Sequence, residues 1–221
     1  MTGMTNYSAD NWLQYIVGET AMPALPTAYV ALFVGVGTDA GTGFTEVTGS
    51  GYARLPTTSG QWAAASGTSP STITNNTTFT FATAGAPWGT VIAIGLYDAS
   101  GTGSGNLLTW DYLGNYQWLP TTISNASPAV FTAHANGYAS GDSVIYSTEY
   151  GGTSPTVASG SLSGILSVAS PATDTFTVVN NTSGVFTTST GNGMVRKVTQ
   201  QVISQNVTTF FASGALILSA A

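Results

Sequence analysis

The chain has 221 residues, with three Lys and Arg against nine Asp and Glu, a net charge of −6 at pH 7. It contains no Cys and one His, which excludes a disulfide framework, a thiol nucleophile and any site built on paired histidines. Three cations cannot form the basic patch that tracks a phosphate backbone, so we expect no nucleic-acid partner.

Hydrophobic residues make up 43% of the chain and the mean hydropathy is +0.20, which predicts a folded protein with a core. Abundant Gly, Thr and Ser favour strands and turns over helices. Residues 1–10 lack the basic and apolar regions of a secretory signal, and the apolar runs are far shorter than the ~20 residues of a membrane span. We therefore expect synthesis in the cytoplasm and no membrane partner.

One short helix is predicted near the N-terminus. Ser8 is a suitable N-cap, Asp10 suits the first turn, and Trp12, Tyr15 and Ile16 follow at helical spacing. Gly18 is a natural end, and Pro23 and Pro26 prevent continuation. Two interpretations stay open: a helix packed on the edge of a sheet, or a docking helix that contacts a neighbouring molecule.

The rest of the chain is predicted to form short strands separated by Gly-, Ser- and Thr-rich turns. Residues 27–34 are apolar on both faces, as in a central strand, whereas residues 77–82 alternate Phe with Thr. The last two strands are predicted to form a hairpin joined at Ser213 and Gly214. The full set of predicted strands in this part is 27–34, 51–55, 77–82, 90–97, 106–113, 206–212 and 215–219. The pattern predicts an all-β fold: an antiparallel β-sandwich with one short N-terminal helix and an inserted small all-β module.

The predicted inserted module begins near Pro120, where the sequence pattern changes from strands to a loop-like stretch. Residues 119–128 are predicted to be a loop, and strands follow at 129–133, 143–146, 165–168, 175–179 and 185–188 before the chain returns through 194–202. The predicted main domain is therefore 1–119 with 196–221, and the predicted inserted domain is 120–195. The alternative is one elongated sandwich.

No candidate catalytic, cofactor or metal site is predicted, and we expect no enzymatic activity. The glycine-rich stretch 35–41 has the wrong spacing for a phosphate loop, and the stretch 98–106 lacks the carboxylates of a tight calcium loop. His134 has no motif that would make it part of a triad, so a structural role is favoured. A glycosidase pair among Asp98, Asp111, Asp142 and Glu149 has no spacing argument behind it.

Aromatic residues and cations are the candidates for contacts with partners. Four tryptophans can form either a sugar-stacking platform or, as we favour, core and subunit interface: Trp62, Trp88, Trp110 and Trp118. Each cation is expected to have an acidic partner, within the chain or across an interface. The candidate interface residues are Trp12, Tyr15, Ile16, Arg54, Arg196 and Lys197. With so few charges, folding and assembly are expected to survive high ionic strength.

Several segments of the chain resemble a family of small bacteriophage virion proteins, regarded as capsid-associated or tail-fibre-like. The resemblance lies in TAYVALFVG, GTGFTEVTGSGYARLP, TNNTTFTFATAGAPWGTVIAIGLYDA, GNLLTWDYLG and the closing FFASGALILS. The middle part, FTAHANGYASGDSVIYSTEYGG with ATDTFTVV, resembles another small β module of phage structural proteins.

The resemblance implies a virion component, and three functions compete. The leading expectation is a capsid decoration (cement) protein on the outer surface of the head. Its expected partners are the major capsid protein and further copies of itself, which by analogy would form a trimer. The second is a tail or fibre component, including an adhesin that binds host glycans. The third is a virion enzyme that degrades polysaccharide.

Overall fold

The computed structural model describes residues 3–21, 27–38, 40–67, 71–114, 116–126, 128–148, 151–152, 162, 164–179 and 191–220. Four features of the sequence analysis lie outside these residues: Pro23, Pro26, Glu149 and the predicted strand 185–188.

Strands dominate the described chain. The first half contains β1 (Gly3–Met4), α1 (Asn6–Ile16), β2 (Ala28–Phe33), β3 (Leu55–Thr57), a 3₁₀ turn (Ser59–Gln61), β4 (Ser71–Thr74), β5 (Phe79–Thr83), β6 (Gly89–Val91), β7 (Ala93–Tyr97) and β8 (Leu107–Tyr112). The second half contains β9 (Leu119–Ile123), β10 (Phe131–Thr132), β11 (Ser143–Ser147), β12 (Ile165–Ala169), β13 (Thr175–Val178), β14 (Gly191–Val198), β15 (Gln201–Ile203), β16 (Thr208–Phe211) and β17 (Ile217–Ala220). The predicted fold class, all-β with one short N-terminal helix, is confirmed.

The chain divides into two compact units. Unit 1 is Met1–Tyr112 with Gln201–Ala221, and unit 2 is Leu113–Gln200. The domain bounds derived from the sequence, 1–119 with 196–221 around 120–195, stay a prediction.

Unit 1 is built on a five-stranded antiparallel sheet in the order β1-β8-β7-β2-β3. The central strand β2 is buried from Val30 to Phe33, as its apolar sequence predicts. Pro56 lies inside β3, although the sequence predicted a strand that ends before it. Because β3 is at the edge of the sheet, the missing N–H of Pro56 can point away from the ladder at no cost.

Three two-stranded ribbons complete unit 1: β15 with β6, β16 with β5, and β17 with β4. The predicted single strand 90–97 is two strands, because the chain changes partner at Ile92, whose N–H donates to the carbonyl of Phe33. Aromatic side chains fill the core, including Phe79, Phe81 and Trp88.

The predicted C-terminal hairpin is wrong, because β16 and β17 pair with β5 and β4 and not with each other. The buried side chain of Asn75 accounts for this. Its Nδ2 donates to the carbonyls of Thr77 and Ala212, and its Oδ1 accepts from the N–H of Leu216, each at 2.8 Å. One amide between β4 and β5 thus holds both ends of the turn that joins β16 to β17.

Unit 2 is a closed antiparallel barrel of six strands in the order β10-β13-β12-β11-β14-β9. Its interior is apolar, and the rings of Phe131 and Phe176 stack with centroids 5.0 Å apart. The predicted loop at 119–128 is wrong in its first part, since residues 119–123 form β9. Pro120 indicated a loop, but the alternate burial of Thr121 and Ile123 is the pattern of a strand.

Candidate interaction surface

The helix α1 is held at its beginning by the edge of the five-stranded sheet. β1 pairs with β8, and Thr5, which follows it, is buried. The Thr5 hydroxyl donates to the carbonyls of Leu107 and Leu108 and accepts from the N–H of Ser8. The N-cap is therefore Thr5, not the predicted Ser8, because the pairing of β1 fixes the residue at which the helix begins.

Beyond this anchor, α1 exposes large apolar side chains. Ala9, Trp12, Leu13 and Ile16 share one face at the spacing of an amphipathic helix. No residue of α1 is buried, and Ala9 is the half-buried member of that row. The side chains that we call the α1 apolar face are Trp12 (45% exposed), Leu13 (60%), Tyr15 (43%), Ile16 (59%) and Val17 (73%).

The two aromatic side chains of this face lie close together. The rings of Trp12 and Tyr15 lie with centroids 5.7 Å apart. An aromatic side chain has about 150–250 Å² of surface and an aliphatic one somewhat less. With the exposed fractions above, each of the five side chains therefore exposes on the order of 100 Å². The exposed surface of the five side chains adds up to about 500 Å², which is comparable in size with the largest apolar patches on monomeric proteins.

Three of the predicted interface residues, Trp12, Tyr15 and Ile16, therefore lie together on an exposed surface. Leu13 and Val17 belong to the same surface and were not among the predicted interface residues, although Leu13 fits the same helical spacing.

Arg54 lies elsewhere, in the interior of unit 1, with 3% of its surface exposed. Its Nε and Nη2 donate to the two carboxylate oxygens of Glu46, both at 2.8 Å, and its Nη1 donates to the carbonyls of Ala99 and Ser104. The guanidinium also covers the ring of Tyr97. Its acidic partner is thus within the chain.

Tyr52 extends the same buried network. Its hydroxyl donates to Glu46 Oε1 at 3.0 Å and accepts from the N–H of Leu32. Burial, reinforced by the charge of Glu46, raises the pKa of Tyr52 far above its ordinary value, although the Leu32 N–H and Arg54 act in the opposite direction. The phenol therefore stays protonated and acts as a structural donor.

The other two cations lie on β14 of the barrel. Arg196 is almost completely buried, at 1% exposure. Lys197 is partly exposed, and its Nζ donates to Asp142 Oδ2 at 2.8 Å. The ring of Tyr116 lies 5.3 Å from the same ammonium group.

The tryptophans do not form an exposed platform. Trp88 and Trp110 are core residues of unit 1, and Trp62 and Trp118 are half-buried. The indole N–H of Trp88 donates to the carbonyl of Ser50, and that of Trp62 to the hydroxyl of Thr57. Asp98, at the start of the glycine-rich stretch 98–106, accepts from the backbone and side-chain amides of Asn106 and closes its own hairpin.

A charge-poor all-β chain with an uncovered apolar helix has the features of a protein that acts by assembly. A protein-family model matches residues 3–139, well over half of the chain. Most segments that carried the resemblance lie inside this range, and the class predicted from them is confirmed: the chain is a structural protein of the bacteriophage virion.

The matching model is described as podophage GP4 fiber I protein gp80, and the chain belongs to this family. The match runs from β1 through β10, so it covers α1 and the first strands of the barrel. No curated protein matches the chain. Within the described residues, no helix is long and apolar enough to cross a membrane.

Proposed function

We propose that the chain is a fibre component of the phage virion, and that it works by assembling with further copies of itself through the α1 apolar face. The observation that carries the proposal is the exposure of Trp12, Leu13 and Ile16 on a helix whose first turn is fixed to the sheet. A fixed anchor presents the apolar residues in one orientation, so little conformational entropy is lost when a partner binds.

The apolar face is large enough to contribute a substantial part of a stable contact. A typical complex buries roughly 800 Å² on each partner, and burial stabilises by about 25 cal/mol per Å² before the entropic cost of association. A trimer, the state expected by analogy, would let each helix contact two neighbours. Repetition along a fibre would add weak contacts into a strong attachment.

The location in the fibre is supported by the family to which the chain belongs, which is that of a podophage fibre protein. Capsid decoration on the outer head surface, with the major capsid protein as partner, stays a prediction from the sequence. No feature of the described residues favours it over the fibre. We also propose that the protein acts by binding alone, without catalytic turnover.

Labelled particles test the location. Gold-conjugated antibody against the purified chain, applied to intact virions and viewed by electron microscopy, is expected to mark the fibres. Label spread over the head lattice would replace the proposal with capsid decoration. Absence of the chain from purified particles would contradict both functions.

A further inference from the structure

We infer that the barrel of unit 2 carries a binding groove for a neutral saccharide. The groove has a volume of about 440 Å³, within the range of small-molecule sites. The residues that carry the inference are Pro120, Thr122, Thr132, His134, Asn192 and Met194. The inference goes beyond the proposed function and does not depend on where the chain lies in the virion.

The register of three adjacent strands brings the polar groups into one row. Thr132 on β10 is opposite Thr122 on β9, and Thr122 is in turn opposite Asn192 on β14. Neighbouring strands are about 4.8 Å apart, so the row spans roughly 10 Å. Pro120 and Met194, two residues further along β9 and β14, point to the same face and supply a small apolar surface.

Close backbone contacts shape one wall of the groove. A Cβ added at Gly152 would lie 2.3 Å from the carbonyl oxygen of Asn192, and one added at Gly193 would lie 2.5 Å from that of Ser147. A side chain at either position would therefore force a shift of the backbone that forms this wall.

His134 contributes a polar group to the groove, and Asp174 binds its imidazole ring. Its Nδ1 lies 2.7 Å from Asp174 Oδ1, and the same oxygen accepts from the N–H of Ala135. The side chain of His134 is 89% exposed. Since Nδ1 is bound to Asp174, Nε2 is the ring nitrogen that can form a hydrogen bond with a ligand hydroxyl.

The chemistry of this lining selects a neutral, hydroxyl-rich ligand. Threonine hydroxyls and the asparagine amide both donate and accept, as sugar hydroxyls do. The described lining residues include no Lys or Arg to bind a phosphate or carboxylate. A closed barrel has no free strand edge for a peptide to join, and Pro120 and Met194 alone are too little apolar surface for a lipid chain.

Saturation-transfer NMR on the full chain tests the inference. The probes are maltotriose, mannotriose, chitotriose and galactotriose, with trigalacturonic acid as the anionic comparison. We expect transfer to at least one neutral trisaccharide, and a Kd raised about tenfold or more by Thr122→Val with Thr132→Val, which keeps shape but removes two hydroxyls. No transfer to any neutral probe, or a preference for the anionic one, would overturn the inference.

Two further variants keep the test decisive. Thr83 and Thr208 are an exposed cross-strand pair in unit 1 whose hydroxyls lie 2.7 Å apart. Changing both to Val is the matched control, and sugar binding is expected to be unchanged. His134→Ala, at an exposed side chain, tests the groove without touching the strands; unaltered affinity in both this variant and the double threonine variant would also overturn the inference.

Discussion

Arg54 ties three parts of unit 1 together through one guanidinium. It binds both oxygens of Glu46 and two carbonyls of the 98–106 hairpin, and its side chain is shielded from solvent. A buried ion pair of this kind contributes little net stability against an apolar replacement of both partners, but removing one partner leaves a buried charge without compensation.

Arg54→Met is therefore expected to lower the free energy of unfolding of unit 1 by about 3–5 kcal/mol. The measurement is urea unfolding followed by tryptophan fluorescence. The comparison variant is Lys197→Met, which breaks a partly exposed pair in unit 2 and is expected to lower the free energy of unfolding of that unit by about 1 kcal/mol or less. Equal losses in the two variants would show that the buried network has no special role.

Asp142 makes the stability of unit 2 depend on pH in the acid range. Burial opposes its ionisation, but hydrogen bonds from the Ala139 N–H and Lys197 Nζ, together with the lysine charge, outweigh burial and lower the pKa of Asp142. A lowered folded-state pKa means that the stabilisation is complete above the unfolded pKa of about 3.9 and is lost as the pH falls through the folded value.

We expect the barrel to lose stability as the pH falls below about 4, and Asp142→Asn to lose less over the same acid range because Asn has no proton to gain. Thermal unfolding of the full chain followed by circular dichroism measures both. The same acid loss in wild type and variant would show that other carboxylates are responsible.

At the scale of elements, α1 is fixed at one end and uncovered along its length. Trp12→Ser with Ile16→Ser removes two large groups from the α1 apolar face but disturbs no buried contact, since no residue of α1 is buried. The double variant is expected to unfold within about 0.5 kcal/mol of wild type and to lose self-association.

Light scattering after size-exclusion chromatography measures the association. Wild type is expected at a multiple of 22.5 kDa and the double variant at 22.5 kDa. Val202→Ser with Phe210→Ser is the matched control, because these side chains are 61% and 60% exposed on β15 and β16. A monomeric wild type, or a double variant of unchanged mass, would contradict the assembly proposal.

Sequence patterns predicted the elements better than their partners. The apolar run of β2 and the alternation of β5 depend on local burial, which periodicity reports. Pairing depends on distant groups such as Asn75, so the C-terminal hairpin was predicted wrongly. The N-cap at Thr5 depends on the pairing of β1, and β9 was missed because Pro120 masked its alternation.

For the candidate surfaces too, local features were predicted from the sequence and features that depend on distant contacts were not. Helical spacing predicted a helix that carries Trp12, Tyr15 and Ile16, and all three are exposed on it; their role at an interface stays a prediction. The burial of Arg54 could not be predicted, since its carbonyl partners are 45 and 50 residues away in sequence. The saccharide groove depends on the register of three strands, which the threonine and asparagine positions do not reveal by themselves.

At the scale of the whole molecule, the scarcity of charge governs how the protein meets its partners. Arg54 and Lys197 are bound to Glu46 and Asp142 of the same chain, and Arg196 is buried. The cations of the chain are therefore little available for contacts between molecules, and we expect those contacts to consist mainly of apolar groups and neutral hydrogen bonds, which salt screens little.

The mass of the assembled protein is therefore expected to stay constant between about 0.05 and 1 M NaCl at fixed pH, a range over which the screening length falls to about 3 Å. Light scattering across the series makes the measurement. Dissociation at high salt would show that charge pairs hold the assembly.

Incorporation into phage particles tests the central claim most directly. Virions are produced with Trp12→Ser and Ile16→Ser in the chain, purified, and analysed for its copy number by quantitative mass spectrometry. Loss of the folded variant from particles, with the Val202→Ser and Phe210→Ser control incorporated normally, is the predicted result. Incorporation of the helix variant at the wild-type copy number would contradict an assembly role for the α1 apolar face.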